Sequence, residues 1–363
     1  MKQTSTTLPG LLAVAALLGC AAQTALAAQD TDTPRYRVFN LGTLAPRSTS
    51  SAADINDAGL ITGTMANGTT HTREIFLGTG RNDLSLLGTL GGGMSVASAL
   101  NSRGEVVGWS TNADGVRRPT LYSRGSFIDL AAGVAGYANG VANAVNASGQ
   151  VTGQINGQTF IYAGGTTRAV AVGNTSEGLG INDRGVVVGG AVMAGDVVRR
   201  PFMIDGGKTT LLPSLGGTFG QALAVNNAGQ VVGYSYTAGG ELLPFLYSGG
   251  KMTALASSGF GEARDINDQG WIVGSRNLSA YLWHDGVGRD LNALVAPDQA
   301  GRWALLSAQG INDSGAIVGY GLFHGYLRGF VATPVPEPGS WALMLAGVGM
   351  VGVAVRRRRA DAG

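Results

Sequence analysis

Short runs of apolar residues alternate with polar, glycine-containing turns along most of the chain. A typical segment is RRPFMIDGG at 199–207, in which a few apolar residues lead directly into a glycine turn. No stretch between residues 30 and 335 keeps its apolar residues at the spacing of an amphipathic helix. This pattern predicts many short β-strands and no substantial helix in that region.

One nine-residue pattern occurs seven times: apolar-Asn-x-x-Gly-x-apolar-(apolar or Thr)-Gly. It reads INDAGLITG at 55–63 and INDSGAIVG at 311–319. Successive copies are 45, 45, 36, 44, 41 and 45 residues apart, so the chain contains one repeat of nearly constant length. The asparagines are Asn56, Asn101, Asn146, Asn182, Asn226, Asn267 and Asn312, and the first glycines are Gly59, Gly104, Gly149, Gly185, Gly229, Gly270 and Gly315.

We expect each copy of this pattern to form a tight β-hairpin. Asn at the first turn position can bond its own backbone two residues on, and Gly at the fourth position adopts a positive φ without steric cost. Together they make a type I turn followed by a left-handed residue. Aspartate follows the asparagine in four copies, and these carboxylates are an alternative set of metal ligands: Asp57, Asp183, Asp268 and Asp313.

A third and a fourth strand follow most hairpins, as in RRPTLYSRG (117–125) followed by SFIDLAAG (126–133). Four short strands in about 45 residues are typical of one propeller blade. The seventh copy lacks its fourth strand, whereas an extra strand, YRVFNLGTL (36–44), precedes the first hairpin. Pairing residues 36–44 with 326–332 would close the ring and remove both exposed edges. We therefore predict an all-β, seven-bladed β-propeller over residues 36–333, with an open β-solenoid as the alternative.

The repeats resemble the HAF family of extracellular repeats, in which an LGTLGG segment and an Ala-rich strand precede I-N-x-x-G-x-V-V-G. Residues 86–110 (LLGTLGGGMSVASALNSRGEVVGWS) and 214–235 (SLGGTFGQALAVNNAGQVVGYS) carry the resemblance. The third copy departs most, because its fourth strand, TTRAVAVGN, lacks the LGTL signature. The resemblance covers about residues 36–333; it implies a location outside the cell and assigns no chemistry.

Residues 1–28 have the features of a secretory signal peptide. Lys2 precedes the apolar run LLAVAALLG, and residues 25–27 (ALA) provide the small-x-small pattern of a cleavage site. We predict cleavage just after Ala27 or Ala28. Residues 17–20 (LLGC) resemble a lipobox, so lipidation of Cys20 is one alternative and a retained anchor is another.

The end of the chain combines a Pro-Glu-Pro motif, an apolar segment and a basic cluster. The apolar segment, WALMLAGVGMVGVAV, has about 15 residues, fewer than the ~20 that a relaxed transmembrane helix needs. A basic cluster directly after it would keep that side in the cytoplasm. Residues 335–359 therefore resemble the PEP-CTERM sorting signal of Gram-negative bacteria. The motif is Pro336, Glu337 and Pro338, and the cluster is Arg356, Arg357, Arg358 and Arg359.

This resemblance implies a processing partner and a route. An exosortase-type membrane peptidase would cut near the motif after the short C-terminal helix has entered the inner membrane transiently. Proteins with this signal tend to occur in species that make exopolysaccharide. A plain C-terminal membrane anchor is the alternative.

Composition narrows the class of partner. The chain has 25 Lys+Arg and 23 Asp+Glu; because Lys2, the four C-terminal arginines and Asp361 lie outside residues 28–338, that region carries 20 basic and 22 acidic residues. No basic stripe remains to neutralise phosphates, so we do not expect nucleic-acid binding. The 60 glycines fit a turn-rich β protein. Cys20 is the only cysteine, and a domain of about 300 residues can fold without a disulfide.

The side chains do not suggest an active site. His71, His284 and His324 fall at different places in their copies, without metal-ligand spacing. We predict no catalytic, cofactor-binding or metal-binding residues. The remaining candidates for glycan cleavage, a reaction that needs a pair of carboxyl groups, are carboxylates around the sixth copy, and we interpret these as solvated turn charges rather than as catalytic groups. They are Glu262, Asp265, Asp285 and Asp290, with Arg264 and Arg289 nearby.

A binding role has better support. Trp109, Tyr234 and Tyr320 each follow the second hairpin strand of a copy, where they would either stack on sugar rings or pack between blades. We therefore expect an exported, non-enzymatic repeat protein of the cell envelope or exopolysaccharide matrix that binds glycan or protein. A polysaccharide hydrolase or lyase on a propeller scaffold is the alternative.

Overall fold

Glycine turns separate short strands throughout the residues that the computed structural model describes, which are 34–43, 48–134 and 139–335. The first strand is β1 (Arg35–Asn40). The first copy of the repeat forms β2 (Thr49–Ile55), β3 (Ile61–Ala66), β4 (Arg73–Gly78) and β5 (Ser85–Leu86). The second forms β6 (Gly91–Leu100), β7 (Val106–Asn112), β8 (Arg117–Ser123) and β9 (Ser126–Asp129). The third forms β10 (Gly140–Val145), β11 (Val151–Ile155), β12 (Gln158–Ala163) and β13 (Thr166–Val170).

The later copies follow the same order. The fourth forms β14 (Thr175–Ile181), β15 (Val187–Val192), β16 (Arg199–Asp205) and β17 (Lys208–Leu211). The fifth forms β18 (Gly216–Val225), β19 (Val231–Thr237), β20 (Leu242–Ser248) and β21 (Lys251–Ala254). The sixth forms β22 (Gly261–Ile266), β23 (Ile272–Arg276), β24 (Ser279–His284) and β25 (Val287–Asp290). The seventh forms β26 (Trp303–Ile311), β27 (Ile317–Phe323) and β28 (Tyr326–Val335).

Helical structure in the described ranges is limited to two short segments between β25 and β26. They are α1 (Leu291–Leu294) and a 3-10 turn at Pro297–Gln299. No helix in these ranges is long and apolar enough to cross a membrane. The predicted signal peptide with Cys20, the Pro-Glu-Pro motif at 336–338, the apolar segment and the four-arginine cluster lie outside the described residues.

Each copy forms a four-stranded antiparallel group. Copies three to six are separate sheets, and the groups of copies one and two are joined by a single parallel bridge between Arg73 and Met94. The group of the seventh copy has the order β1-β28-β27-β26, so its fourth strand comes from the N-terminal end of the domain. The pairing of β1 with β28 runs from Arg35–Val335 to Asn40–Phe330.

A β-bulge interrupts the first strand of every copy shortly before the asparagine turn. The register shifts between Ala52 and Asp54 in the first copy, and at the equivalent position in the other six. Opposite each bulge stands the last glycine of the repeat pattern, where an added Cβ would overlap a carbonyl oxygen of the first strand. These glycines are Gly63, Gly108, Gly153, Gly189, Gly233, Gly274 and Gly319. The bulge and the glycine therefore belong together, because a side chain would push the two strands apart.

Neighbouring groups pack face to face through apolar side chains. Phenylalanine on the third strand is fully buried in five copies: Phe76, Phe160, Phe202, Phe245 and Phe330. The seventh group contacts two neighbours. Phe330 and Leu305 pack with Leu282 of the sixth copy, whereas Val318 and Val331 pack with Ile61 and Phe76 of the first. The first and last copies are thus neighbours in space, although they lie at opposite ends of the domain in sequence.

Candidate functional site

The seven asparagines of the repeat pattern are buried and bond to one another's backbones. Each side-chain Nδ2 donates to the carbonyl oxygen of the asparagine in the next copy, over 2.9–3.0 Å. The series runs from Asn56 to Asn312, and Asn312 donates back to the Asn56 carbonyl at 3.0 Å. The asparagines therefore form an uninterrupted cycle of hydrogen bonds, which we call the asparagine ring.

Each asparagine also organises its own turn. The glycine three residues on donates its N–H to the asparagine carbonyl over 2.9–3.0 Å, with φ between +74° and +82°. The asparagine Oδ1 accepts the N–H of the residue four positions on, over 2.8–3.0 Å. A bond to the residue two positions on is present at Arg103 and Arg184. Sequence reasoning identified these asparagines as turn residues and missed their bonds between copies.

The residues directly after the asparagines form a second layer next to the asparagine ring, around the same central opening. The carboxylate of Asp183, Asp268, Asp313 or Asp57, or the amide oxygen of Asn227, accepts the backbone N–H of the equivalent residue in the preceding copy, over 2.8–2.9 Å. Burial, Asp57 and Asp268 raise the pKa of Asp313. Among the described residues no group of three or more His, Cys, Asp or Glu side chains is arranged to hold a metal ion. The carboxylates thus act as acceptors for backbone N–H groups.

Seven first strands enclose a central cavity behind this opening, and two carboxyl groups face it. Asp54 and Asp265 occupy equivalent positions in copies one and six, where other copies have Ala or Gly. Asp54 accepts the N–H groups of Ile55 and Leu100 at 2.8 and 2.9 Å, and Asp265 accepts those of Ile266 and Ile311 at the same distances. Burial raises the pKa of both, and the charge of Asp265 raises that of Asp54 further.

Tyr234 lies toward the other end of the first strands, in a cluster of aromatic and charged side chains. Its ring stacks on Phe219 with a centroid separation of 6.1 Å, and Phe219 contacts Tyr236 at 5.9 Å. The Tyr234 hydroxyl donates to Gln221 Oε1 on the neighbouring strand. Burial raises the pKa of Tyr234, and the charge of Glu262 adds to the effect.

Charged groups from the fourth and sixth copies, on either side of Tyr234, complete this cluster. Glu177 forms an ion pair with Arg199 at 3.4 Å and accepts a bond from Asn143 Nδ2 at 3.0 Å. Glu262 pairs with Arg264. Together with Tyr234, Phe219 and Gln221, these side chains form what we call the Tyr234 cluster. It combines an aromatic surface with carboxylate and guanidinium groups, which are the groups that bind sugar hydroxyls.

The other two predicted stacking residues have different neighbours. Trp109 and Tyr320 occupy the same register position as Tyr234, each paired with the first strand of its own copy. The Arg117 guanidinium covers the Trp109 ring at 4.7 Å. Tyr320 lines a separate cavity of about 320 Å³ with Arg73 and Gln309. Of the three aromatic residues, Tyr234 is the one whose surroundings include two ion pairs.

The predicted carboxylates of the sixth copy also separate. Asp290 accepts the N–H of Asn292 at 2.8 Å, where it caps α1, and it also accepts a bond from Ser279. Asp285 is exposed in a left-handed turn beside His284. Glu262 belongs to the Tyr234 cluster and Asp265 to the central cavity. Sequence proximity therefore grouped four carboxylates that the fold places in four different environments.

A known family motif matches the C-terminal part of the chain. Residues 334–359 match the family model of the PEP-CTERM protein-sorting motif. This match supports export to the cell envelope or extracellular space and processing by an exosortase. No curated protein sequence is significantly similar to the chain.

Solved β-propellers are similar to the domain in three dimensions. The β-propeller domain of the Trilobed protease from Pyrococcus furiosus, described as having an open velcro topology, aligns at a TM-score of 0.54 with 14% identity, over 81% of this chain and 97% of that one. YCF48 bound to D1 peptide aligns at 0.50 with 10% identity, over 85% and 97%. An extracellular domain of a two-component system from B. thetaiotaomicron aligns at 0.51 with 10% identity, over 82% of this chain and 40% of that one. Similarities at this level of identity concern the fold alone: the chain is an all-β protein, built of four-stranded antiparallel sheets, with β-propellers as its structural neighbours.

Proposed function

We propose that this chain is an exported, non-enzymatic, seven-bladed β-propeller that binds glycan of the cell envelope or exopolysaccharide matrix through the Tyr234 cluster. The PEP-CTERM match supports the route and the exosortase partner. The resemblance of the repeats to the HAF family is compatible with the same location. The inner membrane would be a transient contact, through the C-terminal segment.

Closure of the propeller has two independent supports. The asparagine ring returns from Asn312 to Asn56 without a gap. The strands β1 and β28, from opposite ends of the domain, pair over six residue pairs. An open solenoid would place the first and last copies far apart, so neither contact is expected in it.

The Tyr234 cluster is the observation that carries the glycan proposal. An aromatic face can pack on the C–H face of a sugar ring, and ionised side chains make strong hydrogen bonds to hydroxyl groups. Tyr234, Phe219 and Tyr236 supply the aromatic surface, and the pairs Glu177–Arg199 and Glu262–Arg264 flank it. The charges are already paired, so they would recognise neutral hydroxyls without a net charge on the ligand.

Retention on the exopolysaccharide of the producing strain tests this proposal. The full chain, purified in detergent, is expected to co-sediment with the polysaccharide, and Tyr234→Ala should weaken retention about tenfold through loss of the stacking face. Tyr326→Ala is the matched control, because Tyr326 is an exposed tyrosine on a hairpin of another copy. Equal retention of both variants and the parent chain would remove the Tyr234 cluster from the proposal.

A polysaccharide hydrolase or lyase is the second candidate, and the central cavity supplies its one observation. A carboxyl group with a raised pKa, such as Asp54, can serve as a general acid near neutral pH. Against this, both oxygens of Asp54 already accept backbone N–H groups. Release of new reducing or unsaturated ends in the same incubation, abolished by Asp54→Ala, would favour the enzyme over the binding protein.

A further inference from the structure

A cavity of about 880 Å³ lies outside the Tyr234 cluster, between the groups of the first and seventh copies. It opens on the side of the asparagine turns and adjoins Asn312 and Asp57. We call it the seam cavity. Its volume falls within the roughly 300–1,000 Å³ that small-molecule sites occupy.

The seam cavity exists because the seventh copy breaks a packing rule that the other six keep. In those copies a long side chain, two or four residues after the asparagine, reaches over the turn glycine of the next copy. A Cβ built on Gly104 would lie 3.0 Å from Leu60, on Gly185 3.2 Å from Gln150, and on Gly315 3.3 Å from Trp271. A Cβ built on Gly59 would have no atom within 4 Å. The seventh copy has Ser314 and Ala316 at those two positions, and they are too short to reach.

One wall of the cavity is a loop, held by hydrogen bonds to Asp83, that presents a guanidinium group. Asp83 accepts the N–H of Thr79 at 2.9 Å, its hydroxyl at 2.6 Å and the N–H of Gly80 at 2.8 Å. These bonds lower the pKa of Asp83, with the Thr79 hydroxyl as the largest cause. Arg81, next in the loop, lines the cavity and makes no ion pair with another described residue.

The segment directly after β1 is adapted to Arg81. The stem of Arg81 lies against Gly42, where a Cβ would stand 3.2 Å from both Cγ and Nε. Gly42 also has a φ of +78°, so any other residue there would be strained as well as crowded. Gly88, at the same place in the LGTL segment of the first copy, meets nothing within 4 Å. The fit between Arg81 and the segment after β1 is therefore specific to the seam.

The remaining lining combines an apolar side with a polar rim. Phe39 is 49% exposed, although it is a large aromatic residue on a paired strand, and Leu41 continues the apolar side. Asp57, Asn40 and Asn82 supply a carboxylate and two amides on the rim. A ligand that suits this lining has one anionic group for Arg81, several hydroxyl groups for the carboxylate and amides, and a C–H face for Phe39.

We propose that the seam cavity binds an acidic sugar unit, a uronic acid carried by the matrix glycan, with its carboxylate on Arg81. This proposal deepens the glycan-binding function and rests on it for the class of ligand. It concerns a site separate from the Tyr234 cluster, so the two can fail independently.

Titration of the full chain in detergent with D-glucuronate, D-glucose and acetate tests the seam cavity. Glucuronate should bind at least tenfold more tightly than glucose or acetate. Arg81→Gln should weaken glucuronate about 10- to 100-fold, the loss expected for a charge-assisted hydrogen bond. Ala316→Gln should abolish binding, because the new side chain would reach over Gly59 and fill the cavity. Gln230, at the equivalent position of the fifth copy, reaches over Gly270 in the same way.

Two controls separate binding at the cavity from folding. Arg302→Gln removes an exposed charge elsewhere and should leave glucuronate affinity unchanged. Ala316→Gln should keep the parent's melting temperature within a few degrees. Any of three results would overturn the proposal. Glucuronate does not bind, acetate binds as tightly as glucuronate, or Arg81→Gln binds glucuronate as tightly as the parent chain does. Glucuronate binding that survives a failure to retain polysaccharide would overturn only the Tyr234 function.

Discussion

At the scale of single residues, the asparagine of the repeat pattern does more than any other side chain. A turn requires only a residue that tolerates its backbone geometry, and Asp or Ser would serve. The ring requires a side chain that accepts from its own turn and donates to the next one, and asparagine carries the acceptor and the donor on two separate atoms, whereas a hydroxyl has both on one atom and an ionised carboxylate only accepts. This explains why the first turn position is Asn in all seven copies while the second varies.

Replacing one ring asparagine should therefore cost more than a lost turn. Asn182→Ala would leave the buried Val186 N–H without its acceptor and would remove one of the two bonds that the Asn226 carbonyl accepts, the other being that of the Gly229 N–H. The unpaired N–H and the lost bond between copies should together lower the free energy of unfolding by about 2–4 kcal/mol. Urea titration followed by tryptophan fluorescence measures it. Asn82→Ala, at an exposed asparagine, is the control, and equal destabilisation of both variants would argue against the ring.

Asp54 makes stability depend on pH. Its pKa is raised from 3.8 to about 8, chiefly by burial, so the folded chain holds a proton that the unfolded chain releases. Stability should then be highest below pH ~4 with respect to this group and should fall as the pH rises toward 8. Asp54→Ala, which copies the residue of three other copies, should flatten this decline. Thermal unfolding at pH 5 and pH 9 checks it; an unchanged slope in the variant would assign the effect elsewhere.

At the scale of elements, the bulge and the facing glycine define each hairpin. The sequence makes the glycine visible as the last residue of the pattern, but it does not reveal the reason for it. The reason is the approach of a bulged carbonyl from the paired strand, a contact between residues twelve positions apart, as for Gly233 and Gln221. Strand existence could be predicted because alternation is local, whereas strand length could not: the fourth strand of the first copy has only two residues, Ser85–Leu86.

Gly233→Ala should therefore be strongly destabilising. The new Cβ would overlap the Gln221 carbonyl oxygen, and neither strand can move without breaking its pairing. We expect a loss of about 3 kcal/mol or more, at the upper end of overpacking effects. Gly239→Ala in the same copy is the matched control, because its Cβ would meet only the Thr237 hydroxyl at 3.6 Å. Similar melting temperatures for the two variants would contradict this account of the bulge.

At the scale of the whole molecule, the sequence predicts which strand completes the seventh copy, but it does not predict the two candidate binding sites. A leftover strand at one end and a deficit at the other suggest that residues 36–44 meet 326–332, and the structure pairs Arg35–Asn40 with Val335–Phe330. The Tyr234 cluster draws Glu177, Tyr234 and Glu262 from three copies, and the seam cavity depends on what Ala316 lacks. No local pattern encodes which side chains of different copies become neighbours, so neither site is visible in the sequence.

A disulfide across the seam tests closure directly. Arg37 and Thr333 are register partners on β1 and β28, and antiparallel partners have Cα separations of about 4.5 or 5.5 Å, within reach of a disulfide. In a chain that lacks residues 1–28, and hence Cys20, the pair Arg37→Cys and Thr333→Cys should oxidise readily in the folded state. Because the bond links the two ends of the domain, it should raise stability by up to ~5 kcal/mol. Arg37→Cys with Thr209→Cys, on β17 of the fourth copy, should stay reduced. In an open solenoid both pairs would stay reduced, so oxidation of the seam pair alone distinguishes a closed ring from a row of sheets.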